Sequence, residues 1–174
     1  MPKHDASTAE VLVFTFKEGL LSAVAHDLKL RVGAFSIDVA DDRSGVTATF
    51  DARSLRVVCA RVDGHDSTST LADRDKEKIE SNIASDVLAV KKHPEIRFVS
   101  SSLRAEGEGV HVRGTLTLAG KSREIELHAK RENGKVTGEV TIHQPDFGIK
   151  PFSAMLGALK IRPDVRVRVT LPWA

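Results

Sequence analysis

Apolar residues recur at every second position along most of this chain, and that period constrains its fold more than any other feature. From His26 onward, Leu28, Leu30 and Val32 alternate with Asp27, Lys29 and Arg31. Val46, Ala48, Phe50 and Ala52 alternate with Thr47, Thr49, Asp51 and Arg53, and Ile96 and Phe98 with Arg97 and Val99. The same pattern runs through residues 110–118, 125–129, 136–142 and 165–171. Successive side chains of a strand point to opposite faces, so this period predicts half-buried strands rather than helices. With a less regular run from Val11 to Phe16, about eight strands are expected. Each has one apolar face, so the sheet must close on itself or pack on a second layer.

The links between these runs are short. Glu132-Asn133-Gly134-Lys135 is a strong hairpin signal, because a type I′ turn needs positive φ at both central residues. Gly107 with Gly109, Ala119-Gly120 and residues 41–45 supply further turns, which argues for an antiparallel meander. One stretch differs: Ile79, Ile83 and Val87 recur every four residues, predicting one helical insertion over about residues 73–92, closed by His93-Pro94. A second short helix is expected from Phe152 to Leu159. The length of 174 residues predicts a single domain, residues 1–174, at roughly 150 residues per domain.

Several function classes are disfavoured. Hydrophobic residues make up 41% and charged residues 29%, too apolar a balance for a disordered chain. The net charge of +2 is spread over interleaved acids and bases, so no nucleic-acid partner is expected. The single cysteine, Cys59, excludes an internal disulfide. Leu20 to Ala25, the longest apolar-leaning stretch, is too short to span a bilayer, which takes about 20 residues. Met1 to Asp5 lacks the features of a signal peptide, so a cytoplasmic location is expected.

No phosphate-binding loop, dinucleotide fingerprint or nucleophile elbow is present, and no catalytic residue is assigned; the chain is read as a non-enzyme. His26 and Asp27 are adjacent on a strand, so their side chains should diverge. His111, His128 and His143 fall on outward faces of consecutive strands, without a visible partnering carboxylate, and no metal site is expected. The seven phenylalanines are spread over most strands. They either fill a core or line a lumen, since barrels of about eight strands do both.

Four segments, in order, resemble the YceI-like family of lipid- and polyisoprenoid-binding proteins. They are His26-Asp27-Leu28-Lys29-Leu30-Arg31-Val32-Gly33-Ala34-Phe35-Ser36, His93-Pro94-Glu95-Ile96-Arg97-Phe98-Val99-Ser100, Val112 to Arg123, and Asp146-Phe147-Gly148-Ile149. The resemblance implies an all-β fold, an extended lipocalin-like antiparallel barrel with a short helical insertion. It also implies binding, transport or sequestration of a long-chain apolar amphiphile: a polyisoprenoid, an isoprenoid quinone or a fatty-acid-like lipid. The expected ligand-binding residues are Phe14, His26, Leu28, Leu30, Phe35, Phe50, Phe98, Leu116, Leu118, Phe147 and Met155. His26 is assigned to a polar headgroup. No cofactor is expected beyond a bound lipid or isoprenoid; peripheral membrane contact and a homodimer are left open. The alternative is an interaction or stress-response module with a filled barrel, acting through a basic outer face that includes Lys29, Arg31, Arg166 and Arg168.

Overall fold

The computed structural model describes residues 3–18, 26–154 and 159–173. Its strands are β1 (Lys3–His4), β2 (Glu10–Thr15), β3 (Asp27–Val32), β4 (Phe35–Val39), β5 (Val46–Asp51), β6 (Leu55–Val62) and β7 (His65–Ser67). After helix α1 (Asp73–Asn82) and a turn of π-helix (Ile83–Val87) come β8 (Glu95–Glu106), β9 (Gly109–Leu118), β10 (Lys121–Glu132) and β11 (Lys135–His143). A 3₁₀ turn (Gln144–Phe147), β12 (Ser153–Ala154), β13 (Leu159–Lys160) and β14 (Asp164–Pro172) complete the order. Among the described residues no helix is long and apolar enough to cross a membrane.

The antiparallel reading holds throughout the main sheet, in the order β1-β4-β5-β8-β9-β10-β11-β14-β2-β3-β6-β7. Its twelve strands, with β12 and β13 as a separate ribbon, exceed the eight expected. The eight predicted runs are β2, β3, β5, β8, β9, β10, β11 and β14. The extra β4 and β6 continue β3 and β5 past a kink in one long hairpin, residues 27–62. At the kink the Gly33 amide donates to the Ser54 carbonyl (3.0 Å) and the Asp51 amide to the Ala34 carbonyl (2.9 Å), so the ladder turns a corner without breaking. One half of this hairpin pairs with β2 and the other with β8, which curls the sheet round into a lipocalin-like barrel.

Local chemistry agrees with this path. Asn133 and Gly134 have φ of 53° and 75°, as a type I′ turn requires. The insertion is helical where expected, but α1 has no buried residue and is held from outside itself. Ile79 and Ile83 pack on Leu28, Leu30 and Val57, and the Glu80 carboxylate accepts a hydrogen bond from the Val57 amide (2.9 Å). That amide lies beside a β-bulge opposite Lys29 and Leu30, where the ladder is irregular. The helix expected at Phe152 to Leu159 is not formed at its ends: Ser153–Ala154 and Leu159–Lys160 pair as strands, and residues 155–158 lie outside the described residues.

Candidate functional site

The inward side chains of the curled sheet enclose a cavity of about 390 Å³. That is within the range of roughly 300–1,000 Å³ typical of small-molecule sites. Period two supplies its wall: Val11, Val13 and Thr15 from β2, Leu28, Leu30 and Val32 from β3, Ala48 and Phe50 from β5, and Ile96 and Phe98 from β8. β9, β10, β11 and β14 contribute Leu116, Leu118, Ile125, Leu127, Val140, Ile142, Val165, Val167 and Val169 in the same way. Ile79, Asn82, Ile83, Val87 and Leu88 of the insertion also line the cavity, with Ile79 and Ile83 packed on β3 and β6.

Phe98 reaches the lumen across a strand that has given up its side chain. It lies on Gly114, where an added Cβ would stand 2.4 Å from the Val99 carbonyl oxygen and 2.6 Å from the Phe98 ring. Gly114 is therefore a glycine of close approach.

The lumen is polar at one end. Thr15 is opposite Leu28, two residues from His26, and both Thr15 and His26 line the cavity. Gln144 follows β11 at the same end, since His143 pairs with Asp164 and the neighbouring Arg166 with Phe14. The buried Gln144 amide donates to the Arg162 carbonyl (3.2 Å). Thr15 Oγ1 is buried without a hydrogen-bond partner. Asp27 does not orient His26; its carboxylate accepts from the Lys17 amide (2.8 Å), so the two side chains diverge as expected. Two further polar residues on the wall, Asp51 and Asn82, belong to the kink and the end of α1. Arg53 holds the Asp51 carboxyl below the usual carboxylate range. The opposite end is closed by Val39, Val46, Val110, Val136, Leu171 and Trp173, with the Arg43 guanidinium 4.8 Å from the indole centroid.

Seven of the residues expected from the sequence line this cavity: His26, Leu28, Leu30, Phe50, Phe98, Leu116 and Leu118. Three are placed elsewhere. Phe14 sits on the outer face between the guanidinium groups of Arg61 (5.1 Å) and Arg168 (5.0 Å), because the inward set of β2 is Val11, Val13 and Thr15. Its burial comes from arginine stems lying over it. Phe35 is buried beside its register partner Phe50 (6.1 Å between centroids) without lining the cavity, and Phe147 is buried in the 3₁₀ turn. Met155 lies outside the described residues. Sequence reading missed the helical contribution of Ile79 and Ile83, although their four-residue spacing marked that face, and it missed Thr15 and Gln144.

The wall also parts at one place. β10 and β11 are paired from His128–Glu139 to Glu132–Lys135 and not beyond. The opening between them is a groove lined by Glu124, Glu126, His128, Glu139, His143 and Phe147, and its Ile125, Val140 and Ile142 also line the lumen. On the outer face of β2, β3 and β14, Lys29 pairs with Asp66 (3.0 Å), Arg31 with Glu10 (3.1 Å) and Arg168 with Glu139 (2.7 Å).

A profile described as YceI-like domain matches residues 3–172. No curated protein matches the chain in sequence. Among solved structures, BcnA from Burkholderia cenocepacia is similar with a TM-score of 0.65 at 17% identity, over 94% of each chain. A polyisoprenoid binding domain from Saccharophagus degradans, implicated in plant cell wall breakdown, is similar with a TM-score of 0.61 at 14% identity, over 97% of this chain and 95% of that one. A Campylobacter jejuni YCEI protein is similar with a TM-score of 0.52 at 19% identity, over 70% and 71%.

Proposed function

The chain belongs to the YceI-like family, and from that premise we propose that it is a non-catalytic carrier holding one long-chain apolar amphiphile in the lumen of a single barrel domain. The observation that carries this reading is the asymmetry of the cavity. Thr15, His26 and Gln144 stand at one end, and apart from Asp51 and Asn82 at the kink and the end of α1 the side chains along the wall and at the other end are apolar. A ligand with a polar head and a long apolar tail matches that arrangement. The solved relative described as a polyisoprenoid binding domain supports the same ligand class.

Length selects the ligand. Burying one CH₂ contributes ~0.8 kcal/mol, so ten contribute ~8. That is within the ~4–15 kcal/mol cost of association, and tails near twenty carbons exceed it. Polyisoprenoids, isoprenoid quinones and long fatty acids meet the requirement; short metabolites do not. The head lies against His26 and the unpartnered Thr15 hydroxyl, whose buried oxygen gains a hydrogen bond on binding. The surface reading is weaker, because three of its four cations, Lys29, Arg31 and Arg168, are paired with carboxylates and the fourth, Arg166, lies over the Phe16 ring (5.7 Å). Cell fractionation tests the cytoplasmic location that accompanies this proposal.

Trp173 is the only tryptophan and lines the cavity, so it reports on occupancy. Native mass spectrometry with solvent extraction of the purified protein should find a lipid adduct. Added quinone or polyprenol should change Trp173 fluorescence saturably. No adduct and no response to quinones, polyprenols or fatty acids overturns the carrier reading. His26→Ala should weaken a headed ligand more than a plain hydrocarbon of equal length; equal loss, or none, makes His26 structural.

A further inference from the structure

Outside the lumen, two histidines meet on the barrel wall. His111 of β9 is directly opposite His128 of β10, and their rings stack with centroids 4.3 Å apart and planes 16° apart. Glu126, two residues before His128 on the same outward face, brings a carboxylate oxygen to 3.7 Å from His111 Nε2. One ligating atom from each of His111, Glu126 and His128 lies within 4.8 Å of the others. From these positions we infer that His111, Glu126 and His128 form a surface site for a divalent transition-metal ion, zinc foremost, with water in the fourth position.

Three features support the assignment. Two donors of a tetrahedral zinc, each about 2.0–2.1 Å from the metal, stand about 3.4 Å apart. The His111–Glu126 separation is already close to that, and a rotation of the exposed His128 ring closes the third leg. Secondly, His111 Nε2 is buried and has no hydrogen-bond partner, an arrangement that costs free energy unless something accepts its lone pair or its proton. A metal ion supplies that partner. Thirdly, Arg113 donates to Glu126 and so holds that carboxylate beside the two rings. Imidazole and carboxylate donors in this number suit zinc, and also nickel and copper.

Arg113 also marks the chemistry to be tested. It competes with the metal for Glu126, yet it stands 3.2 Å from Glu124 and can keep that carboxylate when Glu126 turns to the ion. Metal binding would then clamp β9 to β10 at the point where β10 leaves β11. The ligands are on the outward face of the wall, Glu126 and His128 bordering the groove between β10 and β11, and the proposal does not rest on a lipid in the lumen.

Equilibrium dialysis and calorimetry of the full chain, free of any added histidine tag, should show one tight equivalent of Zn²⁺. Co²⁺ should give the visible spectrum of a tetrahedral ion. His128→Ala, at an exposed position, should weaken binding by about tenfold or more, and Glu126→Gln should weaken it too, both with an unchanged circular dichroism spectrum. Arg113→Gln should tighten binding. His143→Ala and His65→Ala, at exposed histidines outside the cluster, should leave it unaltered. Absence of stoichiometric Zn²⁺ binding overturns the assignment, as does binding that survives His128→Ala intact or is lost with His143→Ala.

Discussion

Replacing Gly114 with alanine tests how closely the lumen wall is built. The added methyl carbon would stand 2.4 Å from a backbone oxygen, and backbone cannot rotate away as a side chain can. Restoring ordinary contact near 3.4 Å requires β8 and β9 to separate by about 1 Å at this rung, which weakens the ladder hydrogen bonds on either side. Two bonds at ~0.5–1.5 kcal/mol each give a loss of ~1–3. Displacing the Phe98 ring, 2.6 Å from the new Cβ, adds ~0.5–1.5 kcal/mol of rotamer strain. Against this, alanine in a strand gains ~0.5–1 kcal/mol over glycine through the unfolded chain. The net destabilisation is ~0.5–4 kcal/mol, a fall in Tm of about 1–16 °C at 2–4 °C per kcal/mol for a chain of this size. Urea titration with Trp173 fluorescence measures it, with the exposed neighbour Thr115→Ala as a control expected within ~0.5 kcal/mol of wild type. The same variant should bind a long-chain ligand less tightly, because Phe98 is pushed into the lumen. Gly114→Ala at or above wild-type stability refutes the close-approach argument.

Glu80→Ala removes the acceptor of the Val57 amide, which should cost ~1–3 kcal/mol by urea titration and raise hydrogen exchange in α1 ahead of the barrel strands. Ala48→Leu projects into the cavity, so it should reduce quinone or polyprenol affinity, read from Trp173 fluorescence, with little change in Tm. The carboxyls of Asp51, Asp66 and Glu126 are each lowered by a hydrogen bond from a basic side chain: Arg53, Lys29 and Arg113 respectively. Their contribution is therefore present above the unfolded carboxylate range and is lost as pH falls through and below about 4, so Tm measured against pH should decline there. Replacing all three acids by their amides should flatten that decline; an unchanged slope would place its origin elsewhere.

Strand parity is local, and for that reason much of the lumen was legible in the sequence. Leu28, Leu30, Phe50 and Leu116 have polar neighbours on both sides, and Phe98 and Leu118 on one, so once a strand forms one face is favoured for burial, and that face became the cavity wall. The Asn133-Gly134 turn and the helical insertion were readable on the same footing, from spacing and backbone preference within a few residues. β2 was not, because Val11, Leu12, Val13 and Phe14 are apolar on both faces; only Arg61 and Arg168, brought from β6 and β14, show Phe14 to be outside. The β6 strand was hidden by its bulge, which places Cys59 and Ala60 both in buried positions and breaks the alternation. The meeting of His111 with His128, the parting of β10 from β11, and the gathering of Thr15, His26 and Gln144 at one end depend on the register between segments far apart in the chain. Register is set by sheet curvature and by pairing across the whole barrel, so these features were decided only by the tertiary structure.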